Sequence, residues 1–347
     1  IDRLPMQLIC KAALLGIISL LVGGFGLAAV KPNSSKSTVR PIAITASPIR
    51  SFGKAGGGRG RVGRLRFRGG LVLRSPDPGF GGLSGLEISP NGRRLLAVSD
   101  AGAWLKAKLT YDGTQPRRVV AAMIGPILAL GNKRLRRGRD RDAEAVRLWR
   151  GNLDSGVVLL GFERNQRIGF FKLTGGRVTA PQRYLRPPMR LKSNKGIEAT
   201  GVLKGGPQKG AIVAFAERTL DHRGRHHGWF WRGKKVHPLT LANIGGFDIT
   251  DVAGAPDGYL YVLERRFRWS EGVKMRIRRI APQKFKPGAA LNGEIMMSAD
   301  LSSEIDNMEG LAIHLDKAKR TILTVISDNN FNTFLQRTIL LQFEVAS

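Results

Sequence analysis

The chain has 347 residues, and its 57 Lys and Arg against 26 Asp and Glu give a formal net charge of +31. Such a charge favours anionic partners, namely phosphorylated compounds, lipid headgroups, polyanions or nucleic acid, although scattered basic residues also fit a solubility role. The single cysteine, Cys10, excludes a disulfide framework and a cysteine-ligated zinc site in the rest of the chain.

The N-terminal segment, residues 1–30, is predicted to be an export signal. Residues 12–30 form an uncharged apolar stretch that follows Lys11 and ends in the small residues Ala28 and Ala29, a pattern typical of a cleavable signal peptide. An uncleaved membrane anchor is the alternative, because these 19 residues can just span a bilayer. We expect a periplasmic or secreted protein, which is membrane-anchored only if the leader is retained.

Residues 31–63 are predicted to be a flexible basic linker, because they are rich in Ser, Pro, Gly, Lys and Arg. Residues 56–61 resemble an arginine–glycine RNA-binding segment. A single copy behind an export signal is weak support for such a role, so we do not expect a nucleic-acid partner.

From Arg64 onward the sequence predicts a repeat of short strands. Five stretches of four residues each carry a serine or an acid at the second position and are followed by an apolar run that ends in a second carboxylate, and their first residues lie 60, 54, 53 and 58 positions apart. Turn pairs such as Asn91–Gly92 separate about four apolar runs in each repeat. A period near fifty with four short strands is typical of a β-propeller. The stretches begin at Leu83, Ala143, Ile197, Thr250 and Met308.

We therefore predict an all-β fold, a β-propeller that occupies residues 64–347. Five blades match the five stretches, and six blades are the alternative. Residues 65–73 form a strand that has no repeat of its own. We expect this strand to pair with the C-terminal strand and to close the ring.

The repeated acidic residues are the candidate site. The first strand of each blade lines the central channel of a propeller, so acids at one register should meet there. Like charges in one channel repel unless a cation lies among them, and Ca²⁺ takes six to eight oxygen ligands. The predicted channel-facing, catalytic acids are Glu144, Glu198, Asp251 and Glu309, with Ser84 at the equivalent position; the predicted metal ligands, which end the second strands at one rim, are Asp100, Glu163, Glu217, Glu264 and Asp328.

Three arginines directly follow acids of the second set: Arg164, Arg218 and Arg265. Arginine is a planar, bidentate partner for phosphate or carboxylate, so these residues are the predicted substrate-binding groups. The structural alternative is a set of Glu–Arg pairs that lock neighbouring blades together.

These motifs resemble the phytase-like family described as having "esterase-like activity of phytase". The resemblance implies a secreted or periplasmic β-propeller, distantly similar to calcium-dependent phytases, that hydrolyses phosphate or other esters. The chain departs from the usual glycine after the acid at Ala145 and Ala199. The motifs that carry the resemblance are residues 81–86, 98–100, 142–145, 194–198, 249–251, 307–312 and 327–331.

The sequence thus favours an exported hydrolase of phosphate or related esters that acts on an anionic small molecule. Bound Ca²⁺ would screen and polarise the substrate and activate a water, and arginines would hold the oxyanion. The alternative is a non-enzymatic propeller that binds an anionic envelope polyanion or a protein partner. Carboxylates within metal-ligand reach at an open rim favour the enzyme, whereas carboxylates paired with arginines favour the scaffold.

Overall fold

The computed structural model describes residues 38–53, 60–191 and 195–346, whose regular secondary structure is almost entirely β-strand. The predicted export signal lies outside the described residues, as do residues 54–59 of the predicted linker. In the described ranges, no helix has both the length and the apolar character needed to cross a membrane. The helical segments there are short: Leu130–Asn132, Gly138–Arg141 and Pro282–Lys284.

The strands of the described residues follow one another with short connections. In chain order they are β1 (Arg40–Ile42), β2 (Thr45–Ile49), β3 (Arg61–Val62), β4 (Leu65–Arg74), β5 (Leu83–Ile88), β6 (Arg94–Ser99), β7 (Ala103–Asp112), β8 (Gln115–Pro126), β9 (Ala143–Gly151), β10 (Gly156–Phe162), β11 (Arg167–Thr174), β12 (Arg177–Leu185), β13 (Ile197–Val202), β14 (Ile212–Leu220), β15 (His226–Arg232), β16 (Lys235–Leu241), β17 (Asp248–Gly254), β18 (Leu260–Arg268), β19 (Gly272–Ile280), β20 (Ala290–Leu291), β21 (Glu294–Ala299), β22 (Met308–Leu315), β23 (Thr321–Ser327) and β24 (Thr338–Val345).

These strands form five sheets, each a blade of a β-propeller, which confirms the predicted fold and the predicted blade number. Blade 1 has the order β5-β6-β7-β8-β1 from the channel outwards, and blade 2 has the order β9-β10-β11-β12. Blade 3 is β13-β14-β15-β16-β20, blade 4 is β17-β18-β19-β21, and blade 5 is β22-β23-β24-β4-β2. The neighbouring strands are antiparallel except for β16 and β20, which pair in parallel.

The ring is closed by the two ends of the propeller, as predicted. Strand β4 pairs with β24 from Leu73↔Thr338 to Leu65↔Val345, so blade 5 combines strands from both ends of the chain. The aromatic rings of Phe52 and Phe343 meet edge-on at 5.2 Å inside this blade. Backbone pairing and apolar packing therefore hold the closure together.

The structure differs from the predicted linker over part of its length. Strand β1 pairs with β8 as the outermost strand of blade 1, and β2 pairs with β4 at the outer edge of blade 5. Arg40 of β1 also donates to Asp77 at 2.9 Å between Nε and Oδ2. The polar composition that suggested a linker equally fits a solvent-facing edge strand, whose backbone groups pair with a distant strand.

Candidate functional site

Each innermost strand contains a β-bulge at the same end of the channel. The ladder between the first and second strands of each blade skips one residue of the first strand. A bulge leaves one residue unpaired and re-aims its side chain, and bulges are common beside active sites. The skipped residues are Ser84, Glu144, Glu198, Thr250 and Glu309.

The register of blade 4 differs by one residue from the prediction. Its bulge falls on Thr250, so Asp251 is the next residue and pairs with Leu263. In blade 2 this next position is Ala145, which pairs with Gly161. The prediction that Asp251 shares the position of Glu144 is therefore wrong, because a one-residue slip turns a side chain to the other face of a strand.

Asp251 lies inside the channel and forms a fully buried ion pair with Arg147 of blade 2. Its carboxylate also accepts hydrogen bonds from the N–H of Val252 at 2.8 Å and of Leu311 at 2.7 Å. Arg147 in turn donates to the carbonyls of Val252 at 2.8 Å and Leu86 at 2.6 Å. The pair thus joins blades 1, 2, 4 and 5 across the axis, which is a structural role and not the predicted catalytic one.

Glu264 shows the same slip on the second strand of blade 4. It pairs with Ile249, and Arg265 occupies the rim position that acids hold in the other blades. The Glu264 carboxylate is fully buried and binds Arg276 at 2.7 Å, together with Arg278. The structure therefore does not bring Glu264 to the rim as a metal ligand, because two guanidinium groups already engage both of its oxygens.

The structure brings the acids of blades 2 and 3 together in two overlapping groups. One group is Asp142, Glu144 and Glu163, and the other is Glu163, Glu198 and Glu217. Within each group one oxygen from each residue lies within 4.8 Å of the others. Every donor is a carboxylate oxygen, so the set fits a hard cation better than a soft one. These residues could hold a metal ion, and we call them the acidic cluster.

Asp142 is the member of this cluster that sequence reasoning missed as a site residue. It lies two residues before the bulge at Glu144, and its carbonyl accepts a hydrogen bond from the N–H of Glu163 at 3.1 Å. The equivalent positions of blades 4 and 5 are Asp248 and Asn307. Polar residues at this position in several repeats were the signal that could have identified it.

Burial and mutual repulsion raise the pKa values of three carboxyl groups in the acidic cluster. Burial raises the pKa of Glu163 to about 7, and the charges of Asp142 and Glu217 add to that effect. Burial raises the pKa of Glu217 to about 7 as well. The pKa of Glu198 lies well above its ordinary value, first because of burial and then because of Glu144. A cation among these carboxyl groups would offset the free-energy cost of ionising them.

Arginines neutralise the opposite side of the same rim, in blades 3 to 5. The Nη2 atom of Arg265 lies 3.4 Å from Oε1 of Glu309 and 3.8 Å from Oε1 of Glu217. Arg218 pairs with Asp248 and lies 3.6 Å from Glu217 through its Nε atom. Arg218 and Arg265 therefore flank the acidic cluster at Glu217, and they pair with Asp248 and Glu309 beyond it.

The remaining predicted residues lie at the rim but outside the acidic cluster. Arg164 contacts Asp142 at 3.0 Å between Nε and Oδ2 and keeps 42% of its side chain exposed. Asp100 and Asp328 are buried at the ends of β6 and β23. The charge of Asp100 adds to burial in raising the pKa of Glu309, whereas Arg265 opposes that rise.

The fold and the acid-lined channel define a five-bladed propeller with a candidate cation site. The sequence matches the family described as "Phytase-like: Esterase-like activity of phytase" over residues 78–331. The protein belongs to this family, which confirms the resemblance seen in its motifs.

Comparison with other proteins extends to solved structures. No curated protein matches the sequence. Similar structures include the Dos1 propeller, at 8% identity and a TM-score of 0.35, with 82% of this chain and 75% of that chain covered. They also include XC5397 from Xanthomonas campestris, a gluconolactonase, at 12% identity and a TM-score of 0.34, with 90% and 99% covered.

Proposed function

We propose that this protein is a calcium-assisted hydrolase of phosphate or related esters that acts at the acidic end of the channel. The observation that carries the proposal is that two sets of three acidic residues share Glu163. In each set, one carboxylate oxygen from each residue lies within 4.8 Å of the others, which is close enough for them to bind one metal ion. Membership of the phytase-like family supports the reaction class. The substrate class is an anionic small-molecule ester.

Calcium fits the acidic cluster because five residues offer carboxylate oxygens there, among them Glu144 and Glu198. Asp142, Glu163 and Glu217 complete the set that would hold it. When bound, calcium would supply positive charge that screens the substrate and polarises the ester.

Arginines beside the cluster are suited to bind the substrate anion. Arg218 keeps 48% of its side chain exposed although it pairs with Asp248, so part of its guanidinium faces solvent. Arg265 is more enclosed, at 22% exposed, and is held by Glu309 and Glu217. We assign Arg218 to hold the phosphate oxygens and Arg265 to fix the position of Glu217.

Glu217 joins the proposed cation site to the assigned anion-binding group. It belongs to the acidic cluster that would hold calcium, and its Oε1 atom lies 3.6 Å from Nε of Arg218. A substrate anion held by Arg218 would therefore lie beside the bound cation, which is the position that polarisation of the ester requires.

The alternative is a non-enzymatic propeller that binds an envelope polyanion or a protein partner. The observation that favours it is the pairing of Arg218 and Arg265 with acids on the other side of the rim. We further propose a periplasmic or secreted location, which rests on the predicted leader.

The test is hydrolysis of a panel of phosphate and carboxyl esters by the purified protein, with calcium or with a chelator. We expect hydrolysis that depends on calcium and falls on the order of a hundredfold in Arg218→Ala. The matched control is Arg320→Ala, because Arg320 is 43% exposed and paired with Asp316 far from the cluster. No turnover on any ester, together with a melting temperature that added calcium leaves unchanged, would favour the scaffold.

A further inference from the structure

The opposite end of the channel opens into a cavity of about 700 Å³. Its walls are the C-terminal ends of the innermost strands, and residues of all the blades line it, from Ile88 of blade 1 to Leu315 of blade 5. The buried pair of Arg147 and Asp251 crosses the channel between this cavity and the acidic cluster. The two ends of the channel are thus separate sites.

This cavity is lined by six basic side chains from four blades. Five of the six are exposed, and Lys204 is half-buried. The guanidinium of Arg150 lies 4.1 Å from the ring centroid of Trp149, which holds it in place. The six are Arg93, Arg150, Lys204, Lys209, Lys317 and Lys319.

The acids of the cavity do not balance these charges. Glu87 accepts a hydrogen bond from the N–H of Leu148 at 2.8 Å, and Asp316 pairs with Arg68 at 2.8 Å and Arg320 at 2.7 Å. None of the six basic residues forms an ion pair with any other described residue. Six cationic groups against the carboxylates of Glu87 and Asp316 leave the cavity with a net positive charge, and a bound anion would relieve the repulsion among the cations.

We propose that this cavity binds a compact anion that carries several negative charges, with polyphosphates as the chemical class. Its volume lies within the range of ligand pockets, about 300–1,000 Å³. Guanidinium and ammonium groups from four blades can surround a small anion in a concave site. A flat membrane would contact only the rim of such a cavity, so a soluble anion fits it better.

The test is isothermal titration calorimetry of the full chain with inorganic tripolyphosphate at physiological salt. We expect one saturable site, whose affinity falls about tenfold or more in the double variant Arg150→Gln/Lys204→Gln. The matched control is Lys234→Gln/Lys235→Gln, which removes the same charge from an exposed hairpin of blade 3. Circular dichroism and the melting temperature of each variant establish that it is folded.

Three outcomes would overturn the proposal. These are an equal loss of affinity in the control pair, several weak sites per chain, or binding of anionic phospholipid vesicles that depends on Arg150 and Lys204 while tripolyphosphate does not compete. Glu163→Gln should leave tripolyphosphate binding unchanged, because Glu163 lies in the acidic cluster beyond the Arg147–Asp251 pair. Failure here is thus distinguishable from failure of the proposed hydrolase.

Discussion

Removal of one negative charge from the acidic cluster should stabilise the calcium-free protein. Glu163 belongs to both sets of three acidic residues that form the cluster, and only 6% of its surface is exposed. Its ionised form is disfavoured by burial and by Asp142 and Glu217. Glu163→Gln keeps the size of the side chain and removes this cost, so the variant should unfold at a higher temperature than the natural protein near pH 8.

The magnitude follows from the pKa of Glu163, which rises from an ordinary value of 4.5 to about 7. At 1.36 kcal/mol per pH unit, the cost of ionising this carboxyl is about 3 kcal/mol above pH 7. Because the folded protein holds the proton of Glu163 more tightly than the unfolded chain does, protonation of Glu163 stabilises the fold. This contribution is fully present below about pH 4.5 and is lost as the pH rises through about 7. The gain from Glu163→Gln should therefore be absent near pH 4 and largest near pH 8.

The assay is thermal and urea unfolding of both proteins in chelator across this pH range. Glu271→Gln is a control of opposite sign, because a hydrogen bond from Lys274 lowers the pKa of the half-buried Glu271. Equal stability of Glu163→Gln and the natural protein at every pH, or a loss near pH 8, would refute the reasoning. With saturating calcium the order should reverse, because the variant loses a ligand and a ligand that binds only the folded state stabilises it.

Three further predictions address the cluster, the channel and the leader. Chelation should lower the melting temperature, and Glu198→Gln should reduce that calcium response and any hydrolysis while the protein stays folded; a silent variant would mark the cluster as structural. Asp251→Asn should lower the free energy of unfolding in urea by about 3–5 kcal/mol, because it leaves Arg147 buried without its partner. Adding Arg147→Met to this variant should recover much of the loss, and additive effects in the double variant would contradict the ion pair. N-terminal sequencing of protein from the native envelope should start after about residue 29, and an intact leader in the membrane fraction would favour the anchor.

The blade number could be predicted from the sequence because the information is local and repeated, and the ring closure could be predicted because residues 65–73 form a strand left over from the repeats. Each blade carries its own apolar runs and turn pairs, and the structure keeps these as strands and tight turns. Gly92, for example, has a φ of 73°, which suits the left-handed turn between β5 and β6. Strand β1 was missed because Arg40–Ile42 is too short to show an apolar run, and a solvent-facing edge strand does not need one.

The register of blade 4 was predicted wrongly although the sequence held a signal. In the other blades the residue before the bulge is apolar and buried, as Leu83, Ile197 and Met308 are. In blade 4 that residue is Ile249, which places the bulge on Thr250. The prediction aligned Asp251 with the acids of the other blades. The bulge at Thr250 instead places Asp251 one residue further on, where it pairs with Arg147 inside the channel.

The register of each blade also determines which acids lie close together. Glu144, Glu163, Glu198 and Glu217 come together because blades 2 and 3 keep the common register. Whether an acid meets a cation or a guanidinium depends on side-chain reach across blades, as with Arg265 and Glu309. Spacing along the chain does not contain that information.

The pairing of β4 with β24 has a consequence for biosynthesis. Residues 65–74 leave the ribosome long before residues 338–345, and at about 5–20 residues per second the wait lasts roughly 13 to 53 s. During this time β4 lacks its partner strand β24, and Leu71 and Leu73 lack the part of their apolar cluster that blade 5 supplies, such as Leu340, so the nascent chain exposes an unpaired strand edge. A chaperone that shields unfolded segments would suit this interval, and a chain whose translation stops before Thr338 would leave the propeller an open, aggregation-prone arc.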